Sequence, residues 1–225
     1  MSADGSRLAD QAGPSAIQVR STDTGQVLRT LSAFGPINVL AVGPGGRQVV
    51  AGDAYGLVEV WNGAGIKVVL GTFGPPVLDV AYSQSGGEFV SASANGIVTV
   101  WDAADARPLL SVSACQLPGT ASFSPDGSKI VVGCGDGTVR VFETATGRLL
   151  VSLPATGVGV ISAAAFSPDG RSIVAAINAG NTGYVQVLSS ELATPSLAVL
   201  EVIARRSVPQ LLTPAQQQYI NGSGG

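Results

Sequence analysis

Five short segments of this chain echo one another at a nearly constant interval, and that interval limits the available folds more than any other feature. The clearest copies are Phe123-Ser124-Pro125-Asp126-Gly127 and Phe166-Ser167-Pro168-Asp169-Gly170, and degenerate copies begin at Tyr82, Val42 and Met1. Counted from Met1, the spacings are 41, 40, 41 and 43 residues. A second ladder, Arg20, Trp61, Trp101, Phe142 and Leu188, runs beside it with spacings of 41, 40, 41 and 46. Two ladders in register mean one repeated structural unit, and a period of about 40 residues is the length of a four-stranded propeller blade. Function is therefore to be sought on the surface of a radial repeat.

The fourth unit shows the plan. Ala121-Ser122-Phe123 ends a first strand, and Ser124-Pro125-Asp126-Gly127 turns the chain, with Pro fixing φ and Gly accepting a positive φ. Ile130-Val131-Val132-Gly133 reads as a second strand covered on both faces. After the turn at Cys134-Gly135-Asp136-Gly137, Thr138-Val139-Arg140-Val141-Phe142 alternates apolar and polar residues, which predicts a third strand with an exposed face. Leu149 to Leu153 makes an outer fourth strand. The other third strands, Ile17 to Arg20, Val58 to Trp61, Val98 to Trp101 and Val185 to Leu188, share the polar centre.

The fold class expected is an all-β propeller of five repeats of about 41 residues with blades at 1–35, 36–74, 75–116, 117–157 and 158–202, followed by a tail at 203–225. Aligning Met1 with Phe123 leaves the first blade without its inner strand, so the plan predicts 19 strands and an incomplete ring. An open arc has unpaired strand edges that invite self-association, and the ring is completed by further chain upstream of Met1, by another copy, or by closure through the tail. In the tail, Thr213-Pro214-Ala215-Gln216 has the marks of a helix start and predicts a short helix to Ile220. Asn221 to Gly225 reads as a flexible end or an added linker.

Charge is sparse at 12%, the net charge is −3 and the isoelectric point is about 4.8, so there is no basic stripe for a nucleic-acid backbone. No apolar run approaches the roughly 18 residues of a membrane span, and no signal-peptide order precedes the first repeat, which points to a cytoplasmic chain with neither nucleic acid nor membrane as partner. Cys115 and Cys134 fall in one repeat. Free buried thiols in a reducing compartment are the expectation, with a disulfide between them left open.

The turn-and-strand unit resembles the WD-repeat β-propeller family, and Trp101-Asp102 is that family's eponymous dipeptide. Trp61-Asn62 and Phe142-Glu143 are near versions, Leu188-Ser189 and Arg20-Ser21 degenerate ones, and the resemblance spans about residues 1 to 202. The family's buried network joins a Gly-His pair to an Asp in the turn before the third strand. This chain has no His, offers Phe34-Gly35 and Phe73-Gly74 instead, and holds Tyr55, Asn95 and Asp136 at the Asp position. Blade stability is then expected to rest more on packing and backbone hydrogen bonds. The stretch from Ala204 to Pro214 is similar to tails after the propellers of bacterial signalling proteins of the STAND ATPase type.

The absence of His removes the usual catalytic triads and most zinc sites, so no catalytic, cofactor or metal residue is assigned. Asp126, Asp169, Asp102 and Asp105 read as turn-capping residues. Gly133 to Gly137 looks like a phosphate loop but leads into a strand rather than a helix, and Arg205-Arg206 reads as part of a solvated tail.

What remains is the rim of one propeller face, carrying Phe34, Tyr55, Phe73, Asn95, Gln116, Leu117, Asp136 and Asn181. Aromatics among polar residues suit a protein or peptide partner. For Phe34 and Phe73 the competing reading is that they pack into the space of the missing His. The function expected is a non-enzymatic protein-recognition or scaffold module of a bacterial multidomain signalling protein. The alternatives are a carboxylate- and metal-dependent propeller hydrolase of the lactonase kind and a self-assembling carbohydrate-binding propeller.

Overall fold

The computed structural model of the chain describes residues 1–2, 4–63, 67–71, 73–155, 159–180, 182–189 and 200–202. The expected helix at 213–220 and the tail lie outside these residues, as does Asn181. Among the described residues, nineteen strands form five antiparallel sheets. The first has three strands, β1 (Arg7–Gly13), β2 (Ala16–Ser21) and β3 (Val27–Ser32). The second is β4 (Ile37–Val42), β5 (Val49–Asp53), β6 (Val58–Trp61) and β7 (Lys67–Leu70); the third is β8 (Val77–Tyr82), β9 (Glu88–Ser93), β10 (Ile97–Asp102) and β11 (Pro108–Ser113). β12 (Pro118–Phe123), β13 (Lys129–Cys134), β14 (Thr138–Glu143) and β15 (Leu149–Pro154) make the fourth. The fifth is β16 (Val160–Phe166), β17 (Ser172–Asn178), β18 (Gly183–Ser189) and β19 (Leu200–Val202). Every sheet is a meander in chain order, and the five do not close into a ring among the described residues.

Four hydrophobic clusters fill the four junctions between successive sheets. In one, Val90, Ala92, Val98 and Val100 of the third sheet meet Ala121, Phe123, Ile130 and Val132 of the fourth. Each sheet is thus buried mainly by its neighbours, as in any radial repeat. Close approach is built in at Gly133, where an added Cβ would lie 2.5 Å from Ile161 Cγ2 of the next sheet. The second ladder also packs inward. The Trp101 indole stacks on buried Phe89 with centroids 6.0 Å apart, and its Nε1 donates to Ser91 Oγ at 2.9 Å.

The first ladder is a conserved geometry rather than a conserved string. Ser124 Oγ accepts the Lys129 N–H and donates to Asp126, whose Oδ1 accepts the Ser128 N–H. Ser167 and Asp169 repeat this arrangement, and so do Ser2 and Asp4, although the latter segment looks degenerate as a string. Hydrogen bonds from the two Ser128 groups and from Ser124 hold the Asp126 carboxyl down at about 2, the Ser124 hydroxyl first.

Two expectations fail here. In three of the third strands the polar centre does not face solvent: Glu59, Thr99 and Gln186 are buried, because the face that alternation assigned to water turns toward the preceding sheet while the flanking aliphatics of β6 and β10 pack on the next one. Each needs an internal partner, and Thr99 finds one in Ser111 Oγ at 3.0 Å. The cysteines are not free thiols either. Cys115 and Cys134 form a disulfide with Cα atoms 6.1 Å apart, since the Pro118–Cys134 pairing of β12 with β13 brings the preceding loop alongside.

Candidate functional site

The inner strands β4, β8, β12 and β16 stand side by side, with β1 beside β4, and polar side chains cross from sheet to sheet along this wall. Gln11 donates to the Ile37 carbonyl at 3.4 Å, Asn38 to the Val77 carbonyl at 3.2 Å, and Ser122 to the Ala164 carbonyl at 3.1 Å. Between β8 and β12, Asp79 Oδ2 accepts from Thr120 Oγ1 at 2.9 Å and from the Ala121 N–H at 2.8 Å, while its Oδ1 accepts the Val80 N–H at 2.9 Å. Burial pushes the Asp79 carboxyl above its ordinary value, against the pull of these three donors. These stitches add side-chain hydrogen bonds to the packing and backbone bonds on which the blades were expected mainly to rest. Both Asp79 oxygens are engaged in fold contacts, and among the described residues no three His, Cys, Asp or Glu side chains gather in one place.

The loops at one end of the sheets give a different picture. Phe34 precedes β4, Tyr55 sits in the β5–β6 turn and Phe73 precedes β8, so all three come from short connections between stable strands. They meet: the Phe34 and Phe73 rings are 5.6 Å apart at 60°, and Tyr55 and Phe73 are 6.2 Å apart at 56°. All three stay open to solvent, Phe34 at 61%, Phe73 at 67% and Tyr55 at 45% exposure. Phe34 and Phe73 therefore do not fill the space of the missing His.

Each ring is fixed through its backbone. The Phe34 N–H donates to Glu59 Oε1 at 2.7 Å, the Tyr55 N–H to Asp53 Oδ1 at 2.9 Å, and the Gly74 N–H beside Phe73 to the Tyr55 carbonyl at 2.8 Å. Gly35 is required between them, because a Cβ there would lie 2.5 Å from Tyr55 Cδ2 and 2.6 Å from Asp53 Oδ2. Glu59 and Asp53 are each only 1% exposed. Sequence reasoning passed over both acids, taking Glu59 only as the polar centre of its third strand and assigning Asp53 no role. The signal available was the spacing that places Asp53 two residues before Tyr55, which allows an Asx turn.

The other rim residues do not join this trio. Asn95 Oδ1 caps its own turn by accepting the Ile97 N–H at 3.0 Å. Asp136 accepts the Thr138 N–H at 3.0 Å and pairs with Arg140 at 2.7 Å; burial pushes its carboxyl up, but these contacts outweigh it and hold it low. Arg140 also donates to the Ala114 carbonyl, tying the fourth sheet to the preceding loop. Gln116 and Leu117 are exposed beside the disulfide, Leu117 with φ of +51°.

Against this architecture, the family model for the WD domain, G-beta repeat, matches residues 67–102 and 111–143. Those segments run from β7 to the end of β10 and from the end of β11 to the end of β14, so each match ends with a third strand, the second-ladder position. Two stretches of the chain are thus WD repeats, and the five all-β sheets are consistent with a WD-repeat propeller that does not close among the described residues. WD repeats are generally protein-interaction or scaffold modules rather than catalysts. No curated protein matches the chain at a significant level.

Proposed function

We propose that this chain is a non-enzymatic protein-recognition or scaffold module that engages its partner through the loop face bearing Phe34, Tyr55 and Phe73. The observation carrying this reading is the solvent exposure of three touching aromatic rings on loops whose backbones are fixed from beneath. An exposed apolar group rimmed by polar residues is unfavourable in water unless a partner covers it, and rigid rings lose little conformational entropy on binding. A hydrolase would need free acids at the channel wall, whereas Asp79 there is spent on three donors.

The similarity of the 204–214 stretch to signalling-protein tails supports a bacterial signalling context. The disulfide argues for an oxidising compartment rather than the cytoplasm. The fifth sheet, which among the described residues packs on a sheet at one face only and exposes Val160 and Val174, supports self-association, which light scattering over a concentration series would detect.

The test is a random-peptide display selection on the whole chain, counter-selected on a Phe34→Ser/Phe73→Ser variant. Peptides retained by the first protein and not the second are expected. Peptides retained equally by both would overturn this face as the site.

A further inference from the structure

The aromatic trio is not electrostatically neutral ground. Directly beneath it lie two carboxylates, Asp53 and Glu59, both buried, and each receives the backbone N–H of one of the aromatic residues above. Asp53 Oδ1 takes two such bonds, from Tyr55 and Leu57 at 2.9 and 2.8 Å. Its Oδ2 is buried with no hydrogen-bond partner among the described residues and lies against the Gly35 backbone next to the Tyr55 ring. Segments 33–38, 53–59 and 73–77, which build the site, contain these two acids and neither Lys nor Arg.

Three features of this arrangement select the same ligand chemistry. Aromatic faces carry negative quadrupole charge and attract cations within about 6 Å of a ring centroid. Mutually tilted rings, at 60° and 56°, present faces and edges in different directions around one spot instead of stacking shut. Buried carboxylates act through a low-dielectric interior, so their field at the ring surface is screened less than that of surface acids. A purely apolar anchor would gain from the first layer alone. A cationic side chain with an apolar stem gains from the rings and from the acids below.

We infer that Phe34, Tyr55 and Phe73 form a seat for a cationic side chain, Arg or Lys, presented by the protein partner, with Asp53 and Glu59 supplying the field beneath it. This rests on the protein-recognition reading and specifies what that face recognises. Arg matches the surface best, because its planar guanidinium stacks on a ring face as well as carrying charge.

The test uses the peptides from the display selection above. Those that depend on the face are expected to be enriched in Arg or Lys over the starting library. Replacing the enriched Arg with citrulline, or Lys with norleucine, should weaken binding to the whole chain at least ten-fold. Added salt should weaken the parent peptide more than its neutral counterpart. Face-dependent peptides without basic enrichment, or a neutral replacement that binds within two-fold of its parent, would overturn the cationic seat and leave protein recognition by this face standing. A selection with no face-dependent peptides overturns both.

Discussion

Asp79 Oδ2 lies 2.9 Å from Thr120 Oγ1, joining the inner strands of the third and fourth sheets across the wall of the arc. With the Ala121 and Val80 N–H groups also donating to it, the carboxylate accepts three hydrogen bonds and can give none. Asp79→Asn turns one oxygen into a donor that must face another donor whichever way the amide is oriented. The variant should lose about 1–3 kcal/mol of stability, the cost of an unmatched buried polar group. The pH dependence has a definite sign. Burial raises the folded-state value above the ordinary 3.8, so this group's contribution is fully present below 3.8 and is lost as pH rises through the folded value. Thermal melts across that range should show the decline in the parent chain and not in Asp79→Asn. Equal stability of the two proteins at every pH would refute the role.

Asp126 works with the opposite sign. Its folded value of about 2 lies below the ordinary 3.8, so its contribution is present above 3.8 and disappears as pH falls through about 2. The stability gap between the parent and Asp126→Ala should therefore narrow on acidification from about pH 5 to pH 2. A gap that stays constant over that range would show that the turn owes nothing to the ionised carboxylate.

The Cys115–Cys134 bond closes a loop with a sequence separation of 19 residues inside the fourth repeat. By the chain-entropy account, removing it should cost about 3 kcal/mol. Both a Cys115→Ala/Cys134→Ala variant and the parent chain under strong reductant should melt earlier, the latter without any change of side-chain volume. A melt indifferent to reductant would return the cysteines to the status of buried thiols.

The repeat, the all-β class and the positions of the strands within each repeat were readable from the two ladders, because turn chemistry and strand periodicity are local properties. Glu59 shows where local reading stops. Alternation in Val58 to Trp61 correctly located a strand, but whether its polar residue meets water depends on the neighbouring sheet, which no local pattern encodes. The disulfide was hidden for a similar reason: two cysteines in one repeat meet only because β12 and β13 pair in the register that aligns Pro118 with Cys134. Phe34, Tyr55 and Phe73 could be placed on one rim from the repeat alone. Their mutual contact, and the acids that hold them, come from loop geometry at Gly35 and Gly74.

The most direct test of the recognition face is the Kd of a face-selected peptide for the parent chain and for Tyr55→Ala, measured beside their thermal melts. Tyr55 makes its structural hydrogen bonds through the backbone, so the substitution should leave the melt nearly unchanged. Binding should weaken at least about ten-fold, as for a hot-spot aromatic, while Thr144→Ala at the opposite end of the sheets should bind as the parent does. Equal effects of the two substitutions on binding, or a Tyr55→Ala chain that no longer folds, would contradict the assignment of this face as the binding site.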